Sequence, residues 1–463
     1  MRTAPMDSLT VVILAAGEGK RMRSRQPKVL HRLCGRPLIA YPLRIARTLA
    51  DRIVLVVPPQ ADEVVQVAGA DVRAVVQRER LGTGHAVLQA REECGPGPIL
   101  VLPGDMPLLT VETIERLVTH HGATGAAVTI LTANVDNPTG YGRVLRQRGR
   151  VARVVEERDA TDDQRKVTEI NTAVYCFDAR RLWAALDEVR PDNDQGEYYL
   201  TDVIGILSRT GARIETVMVP DAMQAQGVND RRQLAAVAAI ERQRILDALM
   251  EGGVTILDPA STYIEESVTI GPDTVVYPHT VIEGVTTIGS DCVIGAGSHV
   301  SGSRLADRVT LKAYSVVEEA VIEEDATLGP FCHLRPGCHI GAAVEIGNFA
   351  ELKKARVGRK TKIHHVSYLG DATVGEQVNI GAGTITCNYD GIAKHRTTID
   401  DGAFVGTNSS LVAPLTVGEG AYVAAGSVIT KDVPPGALVV ERSPQVVKEG
   451  WTARRAAKKR KDG

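Results

Sequence analysis

Through the second half of this 463-residue chain an aliphatic residue returns at every sixth position. Ile264, Ile270, Val276, Ile282, Ile288, Ile294 and Val300 open the series, often followed by a small residue, as in Ile270-Gly271 and Ile294-Gly295. After a slip the series resumes at Val316, Ile322, Leu328, Leu334, Ile340, Ile346 and Leu352. It continues at Val357, Ile363 and Leu369, at Val374 and Ile380, and again from Ile399 to Ile429. Six is no multiple of 3.6, and each Gly inside a helix would cost about 1 kcal/mol, so an α-helix is excluded. The repeat predicts a parallel β-helix in which each aliphatic points inward and the next residue makes room for a corner. Between Ile380 and Ile399 the series stops, and Asn388-Tyr389-Asp390 predicts an inserted loop, a common carrier of function on a rigid scaffold.

The first half follows another rule. Short β-branched runs at Thr10–Leu14, Ile53–Val57, Ala74–Gln77, Ile99–Leu102, Ala126–Leu131 and Ala173–Phe177 alternate with helix-like stretches. That alternation predicts a mostly parallel sheet with helices on both faces, and ligands of such sheets bind beyond the carboxyl ends of the strands. The turn after the first strand reads Leu14-Ala15-Ala16-Gly17-Glu18-Gly19-Lys20-Arg21-Met22, with Pro27-Lys28 beyond it. Its glycines admit phosphate to backbone N–H groups and its cations neutralise it. Met22 stands where a dinucleotide fingerprint needs its third glycine, and the P-loop spacing is absent. Between the halves, the stretch from Asn229 to Glu251 is rich in Ala and Arg, with Leu234, Val237, Ile240, Ile245 and Leu249 along one side and Gly252-Gly253 after it. This predicts a linking helix with a glycine cap. The expected divisions are 1–229, 230–252, 253–440 and a tail, 441–463.

A net charge of −2 argues against a nucleic-acid binder, and the run Lys458-Lys459-Arg460-Lys461 reads as a solvated tail. Seven cysteines form no CxxC pair, so neither a disulfide framework nor a structural zinc site is expected. Without an apolar leader or an eighteen-residue apolar run, neither export nor membrane insertion is expected, which leaves the cytoplasm.

Further motifs occur in order: Gln77 with Leu81-Gly82-Thr83-Gly84-His85-Ala86, and Gly104-Asp105-x-Pro107. With the glycine turn and Pro27-Lys28, they resemble the sugar-nucleotide pyrophosphorylase family. Asn137-Pro138-Thr139-Gly140-Tyr141-Gly142-Arg143, Val155-Glu156, Glu169-Ile170-Asn171-Thr172, the stretch from Gln195 to Asp202 and Gly227-Val228-Asn229 narrow the resemblance. From about Leu9 to Trp451 the chain is similar to the bifunctional N-acetylglucosamine-1-phosphate uridyltransferase and glucosamine-1-phosphate acetyltransferase family. The resemblance implies a Rossmann-like α/β domain of the nucleotide-diphospho-sugar transferase type followed by a left-handed parallel β-helix of hexapeptide repeats. It also implies Mg²⁺, with UTP and acetyl-CoA as co-substrates, and a homotrimer with the acetyltransferase site between chains.

Nucleotidyl transfer needs positioning and charge neutralisation more than covalent help. Asp105, at the end of an apolar strand, offers the hard oxygen that Mg²⁺ prefers, and the resemblance makes Asn229 the second ligand. Arg21 and Lys28 are expected to stabilise the triphosphate during catalysis. The resemblance puts Leu14, Ala15, Gly17, Gln77, Gly82 and Thr83 on UTP, with the latter three at the uracil, and Gly140, Glu156 and Asn171 on the N-acetylglucosamine. Pro103 departs from the family at one substrate contact.

Acetyl transfer to an amino sugar needs a base of near-neutral pKa, which is the province of His. The resemblance, through His365-Val366-Ser367-Tyr368, selects His365 rather than His364, and Glu351 is expected to orient its imidazole. It implies that Arg335 and Lys353 grip the sugar phosphate, that Tyr368, Asn379 and Asn388 position the sugar, and that Lys394 closes over it. For acetyl-CoA it implies Asn388, Tyr389, Lys394, Thr407, Ala425 and Arg442. The alternatives are a single-activity sugar-1-phosphate nucleotidyltransferase with a regulatory β-helix, and a non-enzymatic assembly subunit. The length of the repeat and the set Arg335, Lys353 and His365 argue against the first. The second gives no reason to keep Arg21, Lys28, Asp105 and Asn229 together.

Overall fold

A computed structural model describes residues 9–459. The chain divides into two compact units, 1–242 and 243–463, each with a core of its own.

Among the described residues, the first unit is built on a nine-stranded sheet. Its main path runs Ile214–Met218, Val128–Asn134, Glu169–Phe177, Ile99–Pro103, Thr10–Leu14, Arg52–Val57 and Arg73–Val76. All neighbours on this path are parallel except Glu169–Phe177, which runs against both of its flanking strands. Val11, Ile13, Leu55, Leu100 and Leu102 enter one core, while Val12, Val54, Val56, Ile99 and Val101 enter the other. Burial on both faces is why these strands read as unbroken apolar runs. Each fully buried Val, Ile or Leu contributes about 1.5–3 kcal/mol. The hairpin Gly142–Gln147 with Arg150–Val155 escaped the sequence reading because Arg143, Arg146, Arg150 and Arg153 interrupt its apolar residues.

The linking helix spans Arg231–Glu251, and the division between the units falls inside it. Leu234, Val237 and Ile240 pack with Leu33, Leu38 and Tyr41 of the first unit, whereas Leu246, Leu249 and Met250 join the core of the second. The expected apolar stripe therefore serves two cores in turn.

In the second unit, strands of two to four residues stack into three parallel sheets of 11, 10 and 9 strands among the described residues. Successive turns keep the inward residues in register, as in Val300, Val317, Leu334, Leu352 and Leu369. The inward residue expected at Val316 is thus Val317. The reason lies at one corner, between the ten-stranded and nine-stranded sheets. There the steps Val300 to Leu305, Val317 to Ile322, Leu352 to Val357 and Leu369 to Val374 are one residue shorter than the step Leu334 to Ile340. The same corner takes the inserted loop, because fully buried Thr386 fills the inward place before Ile399 does. From Ile264 onward the coil absorbs its length variation at that edge and keeps the other two regular.

Buried hydroxyls at the corners close backbone carbonyls, as Thr361 does for Gly375 at 2.7 Å and Ser315 for Lys312 at 2.8 Å. At another corner Tyr314, Phe331 and Phe349 adopt left-handed backbone geometry, and their exposed rings stack at 5.3 Å between successive centroids.

Candidate active sites

Two polar clusters stand out, one inside each unit. In the first unit, the ends of the strands Thr10–Leu14 and Ile99–Pro103 close together because the Gly104 N–H donates to the Leu14 carbonyl at 2.9 Å. A Cβ on Gly104 would lie at that same 2.9 Å from the carbonyl, so only glycine fits. Gly19, at φ +63°, lets the glycine turn lie against Lys28, since a Cβ there would come within 2.8 Å of the lysine Cβ.

The Lys28 ammonium is paired with the Asp105 carboxylate and lies 3.2 Å from Asn229 Oδ1. Asn229 is brought there by the Val228 N–H, which donates to the Asp105 carbonyl at 2.9 Å. The two oxygens expected to hold a divalent ion thus converge on one cation, and a hard carboxylate with an amide oxygen is a donor set that suits Mg²⁺. Arg21 is exposed and lies near Asp230, the residue that caps the helix Arg231–Glu251.

The residues expected at the base gather around a second glycine. Gln77 is buried, and its amide nitrogen donates to the Gly82 carbonyl at 3.1 Å. Thr83 Oγ1 accepts from the Leu200 N–H at 3.1 Å, tying this turn to the segment Tyr198–Leu200. Two of the three sugar residues, Glu156 and Asn171, also meet. Gly142 is flanked by Glu156 and Asn171, and Thr201 Oγ1 donates to Glu156 at 3.1 Å. Burial pushes the Glu156 carboxyl above its ordinary range. Asn171 is oriented by its bond to the Tyr175 hydroxyl at 2.7 Å.

Some contributors were missed by the sequence reading. Arg143 is almost fully buried, pairs with Glu157 at 2.6 Å and donates to the Tyr141 carbonyl, while Glu157 accepts the Gly140 N–H at 3.2 Å. It therefore holds the turn that carries Gly140. Arg143, Thr201 and His85 all stood inside the motifs already noted, which was the available signal.

In the second unit, Arg335 pairs with Glu351 at 3.0 Å. Glu351 is thus engaged elsewhere, and the expected contact with the His365 imidazole is not made. Asn348 takes that place, with Oδ1 2.7 Å from His365 Nδ1. The Lys394 side chain lies against Lys353, and this contact, in which only a neutral amine could accept, together with the like charge draws Lys353 below its ordinary range. Asn388 donates to Asp371 at 2.6 Å. Gly370 leaves the room in which the Tyr368 hydroxyl and the Asn388 amide approach each other, since a Cβ there would lie 2.5 Å from one and 2.7 Å from the other. Asn379 lies in the same sheet as His365, beside Lys362 and Phe404, and makes no side-chain hydrogen bond to this cluster among the described residues. Thr407 and Ala425 occupy one corner on successive turns, and Arg442 donates to the Ala425 carbonyl at 2.8 Å. Tyr389 is exposed on the inserted loop. Three Asp390 hydrogen bonds, from the Ala393 N–H, from His395 and from the Ile392 N–H, hold that loop and keep its carboxyl well below the usual range.

Comparison with known proteins matches residues 11–201 to the MobA-like NTP transferase domain, 263–338 to the GMPPB C-terminal domain and 396–431 to the hexapeptide repeat of succinyl-transferase. The "Bifunctional protein GlmU" of Fervidobacterium nodosum is 48% identical over 455 residues, covering 98% of each chain. The chain belongs to the bifunctional GlmU family. The GlmU of Trichlorobacter lovleyi is also 48% identical, covering 98% of this chain and 99% of its own. That of a Geobacillus species is 49% identical over 452 residues. A solved structure described as a candidate glucose-1-phosphate thymidylyltransferase from Bacillus anthracis is 18% identical and covers 50% of this chain, with a TM-score of 0.44. As a GlmU family member the chain is an enzyme that joins uridylyl transfer and acetyl transfer, and its coil is the left-handed β-helix of hexapeptide repeats. No described helix is long and apolar enough to cross a membrane.

Proposed function

We propose that the chain makes UDP-N-acetylglucosamine in two steps, each at one of these clusters. In the second unit, acetyl passes from acetyl-CoA to the amine of glucosamine 1-phosphate. In the first unit, the product's phosphate attacks the α-phosphorus of UTP and pyrophosphate leaves.

His365 is the base of the acetyl transfer. With the Asn348 oxygen at Nδ1, the proton sits on Nδ1 and Nε2 keeps the lone pair that accepts a proton from the amine. The amine then forms its C–N bond as the thioester C–S bond breaks. Arg335, Lys353 and Lys394 supply positive charge for the sugar phosphate, Tyr368, Asn379 and Asn388 position the sugar, and Tyr389, Thr407, Ala425 and Arg442 meet acetyl-CoA together with Asn388 and Lys394.

In uridylyl transfer Asp105 and Asn229 hold Mg²⁺, which when bound neutralises charge on the phosphates. Lys28 and Arg21 then act on the triphosphate beside Leu14, Ala15 and Gly17. Gln77, Gly82 and Thr83 receive the uracil, and Gly140, Glu156 and Asn171 receive the N-acetylglucosamine. The convergence of Asp105 and Asn229 on a single cation carries this assignment.

The exposed aromatic column Tyr314, Phe331 and Phe349 supports a homotrimer formed through the coil, because stacked rings open to water favour a partner surface. The free thiols of Cys94, Cys176, Cys292, Cys332, Cys338 and Cys387 support a cytoplasmic setting. Thiol release from acetyl-CoA with glucosamine 1-phosphate, followed by pyrophosphate release on adding UTP and Mg²⁺, tests the two-step reading. Pyrophosphate release without thiol release would leave a single-activity nucleotidyltransferase.

A further inference from the structure

Gln77 is only 3% exposed, so every polar atom of its carboxamide has to be accounted for. Its amide nitrogen lies 3.1 Å from the Gly82 carbonyl and 3.1 Å from His85 Nδ1. A carbonyl only accepts, so Gly82 decides which end of the carboxamide is nitrogen, a choice otherwise open for such groups. The second N–H then points at Nδ1, which must offer its lone pair. A neutral imidazole has one lone pair and one N–H, so its proton sits on Nε2.

Nε2 lies 3.2 Å from the Gln89 amide. To accept that proton Gln89 turns its oxygen toward the ring and gives up a longer bond, 3.3 Å, to the His85 carbonyl. Both Gln77 hydrogens are thereby engaged. Its Oε1 has no hydrogen-bond partner among the described residues, and it is left as an acceptor only.

We propose that His85 is a positioning residue for nucleotide choice: it locks Gln77 so that only an acceptor faces the nucleobase. The inference rests on the reading that Gln77 meets the base of UTP. Uracil carries an N–H at ring position N3 and satisfies that acceptor, whereas cytosine presents a lone pair there and leaves two acceptors facing each other. A freely rotating carboxamide would turn over and donate to cytosine. Here the turn would place Oε1 against the Gly82 carbonyl and break both bonds. Gly82 itself admits no side chain, because at φ +108° a Cβ would lie 2.6 Å from the Tyr198 carbonyl. His85 is therefore the support that substitution can remove.

The test compares kcat/KM for UTP and for CTP in the full chain with Mg²⁺ and N-acetylglucosamine 1-phosphate. His85→Leu keeps bulk but removes the acceptor, and it is expected to lower the UTP-to-CTP ratio by about tenfold, the worth of one buried hydrogen bond. His85→Asn returns an oxygen near the Nδ1 position and is expected to restore most of the ratio. Circular dichroism and thermal unfolding of the same preparations report folding, since acetyl transfer belongs to the other unit, and His85→Ala takes the place of His85→Leu should the latter not fold. Gln77→Leu separates the two levels of the argument. If it leaves the ratio unchanged, Gln77 does not meet the base and the underlying reading is wrong. If Gln77→Leu lowers the ratio while the His85 variants keep the wild-type value, the positioning role is overturned.

Discussion

Asn348 Oδ1 stands 2.7 Å from His365 Nδ1, and the two residues are paired neighbours on successive turns of the coil. Since that contact fixes the imidazole proton, Asn348→Ala is expected to slow acetyl transfer by about ten- to a hundredfold. His365→Ala removes the base itself and is expected to cost about 10²–10⁴-fold. Neither should change pyrophosphate release. Asn348→Asp keeps an acceptor and adds negative charge, so its acetyl-transfer pH profile is expected to move to higher pH. An unmoved profile would show that Asn348 does not act on the imidazole.

Lys28 holds the same two oxygens, from Asp105 and Asn229, that the proposed metal would use. Two cations cannot share them, because unit charges 4 Å apart repel by about 4 kcal/mol at an intermediate dielectric. Mn²⁺ binding followed by electron paramagnetic resonance without nucleotide is expected to tighten by about tenfold in Lys28→Met and to disappear in Asp105→Ala. Asp105→Ala should also abolish uridylyl transfer and leave acetyl transfer intact. Weaker Mn²⁺ binding in Lys28→Met would rule out the competition.

Desolvation raises the Glu156 carboxyl, with the Thr201 hydrogen bond opposing it. Its folded pKa lies above the unfolded one, so its contribution to stability is fully present below the unfolded value of 4.5 and is lost as pH rises through the folded value. At neutral pH the buried charge is a cost. Glu156→Gln is expected to raise Tm at neutral pH, with the gain fading on acidification toward 4.5, while uridylyl transfer falls by about ten- to a hundredfold. Calorimetry across that range checks the sign.

Gly347 precedes Asn348, and a Cβ on it would sit 1.6 Å from the His364 carbonyl. Gly347→Ala must push apart the turns that carry Asn348 and His365. A loss of about 3 kcal/mol or more is expected in chemical denaturation, together with the loss of acetyl transfer. Wild-type stability would mean that the turns separate freely there.

Much of the fold was legible because it rests on local periods. The six-residue repeat announced the coil, and the unbroken apolar runs announced a sheet buried on both faces. Local spacing failed at Val316, where a shortened corner hands the inward place to Val317. It failed again at Thr386, whose hydroxyl side chain hid a core position. The charged hairpin Gly142–Gln147 with Arg150–Val155 gave no apolar period at all.

The site residues divide in the same way. Asp105, Gln77, Glu156, Arg335 and His365 were named by their motifs, since each motif is a short stretch of chain with a fixed order. Their partners were not. Asn348 and His365 lie 17 residues apart, as do Asp371 and Asn388, and Arg335 and Glu351 lie 16 apart. The first two separations are one 17-residue turn of coil, whereas Arg335 reaches Glu351 diagonally across an 18-residue turn that aligns Glu351 with His333, so the partner depends on whether a corner takes five residues or six.

The sequence by itself determined which chemistries this chain carries and in which half, because glycine turns, paired cations and an aliphatic period are properties of neighbouring residues. Tertiary structure alone decided that Asn348, not Glu351, faces His365, and that His85 and Gly82 hold Gln77. A hydrogen bond depends on distance and direction in space, and only the register of packed turns and strands fixes those.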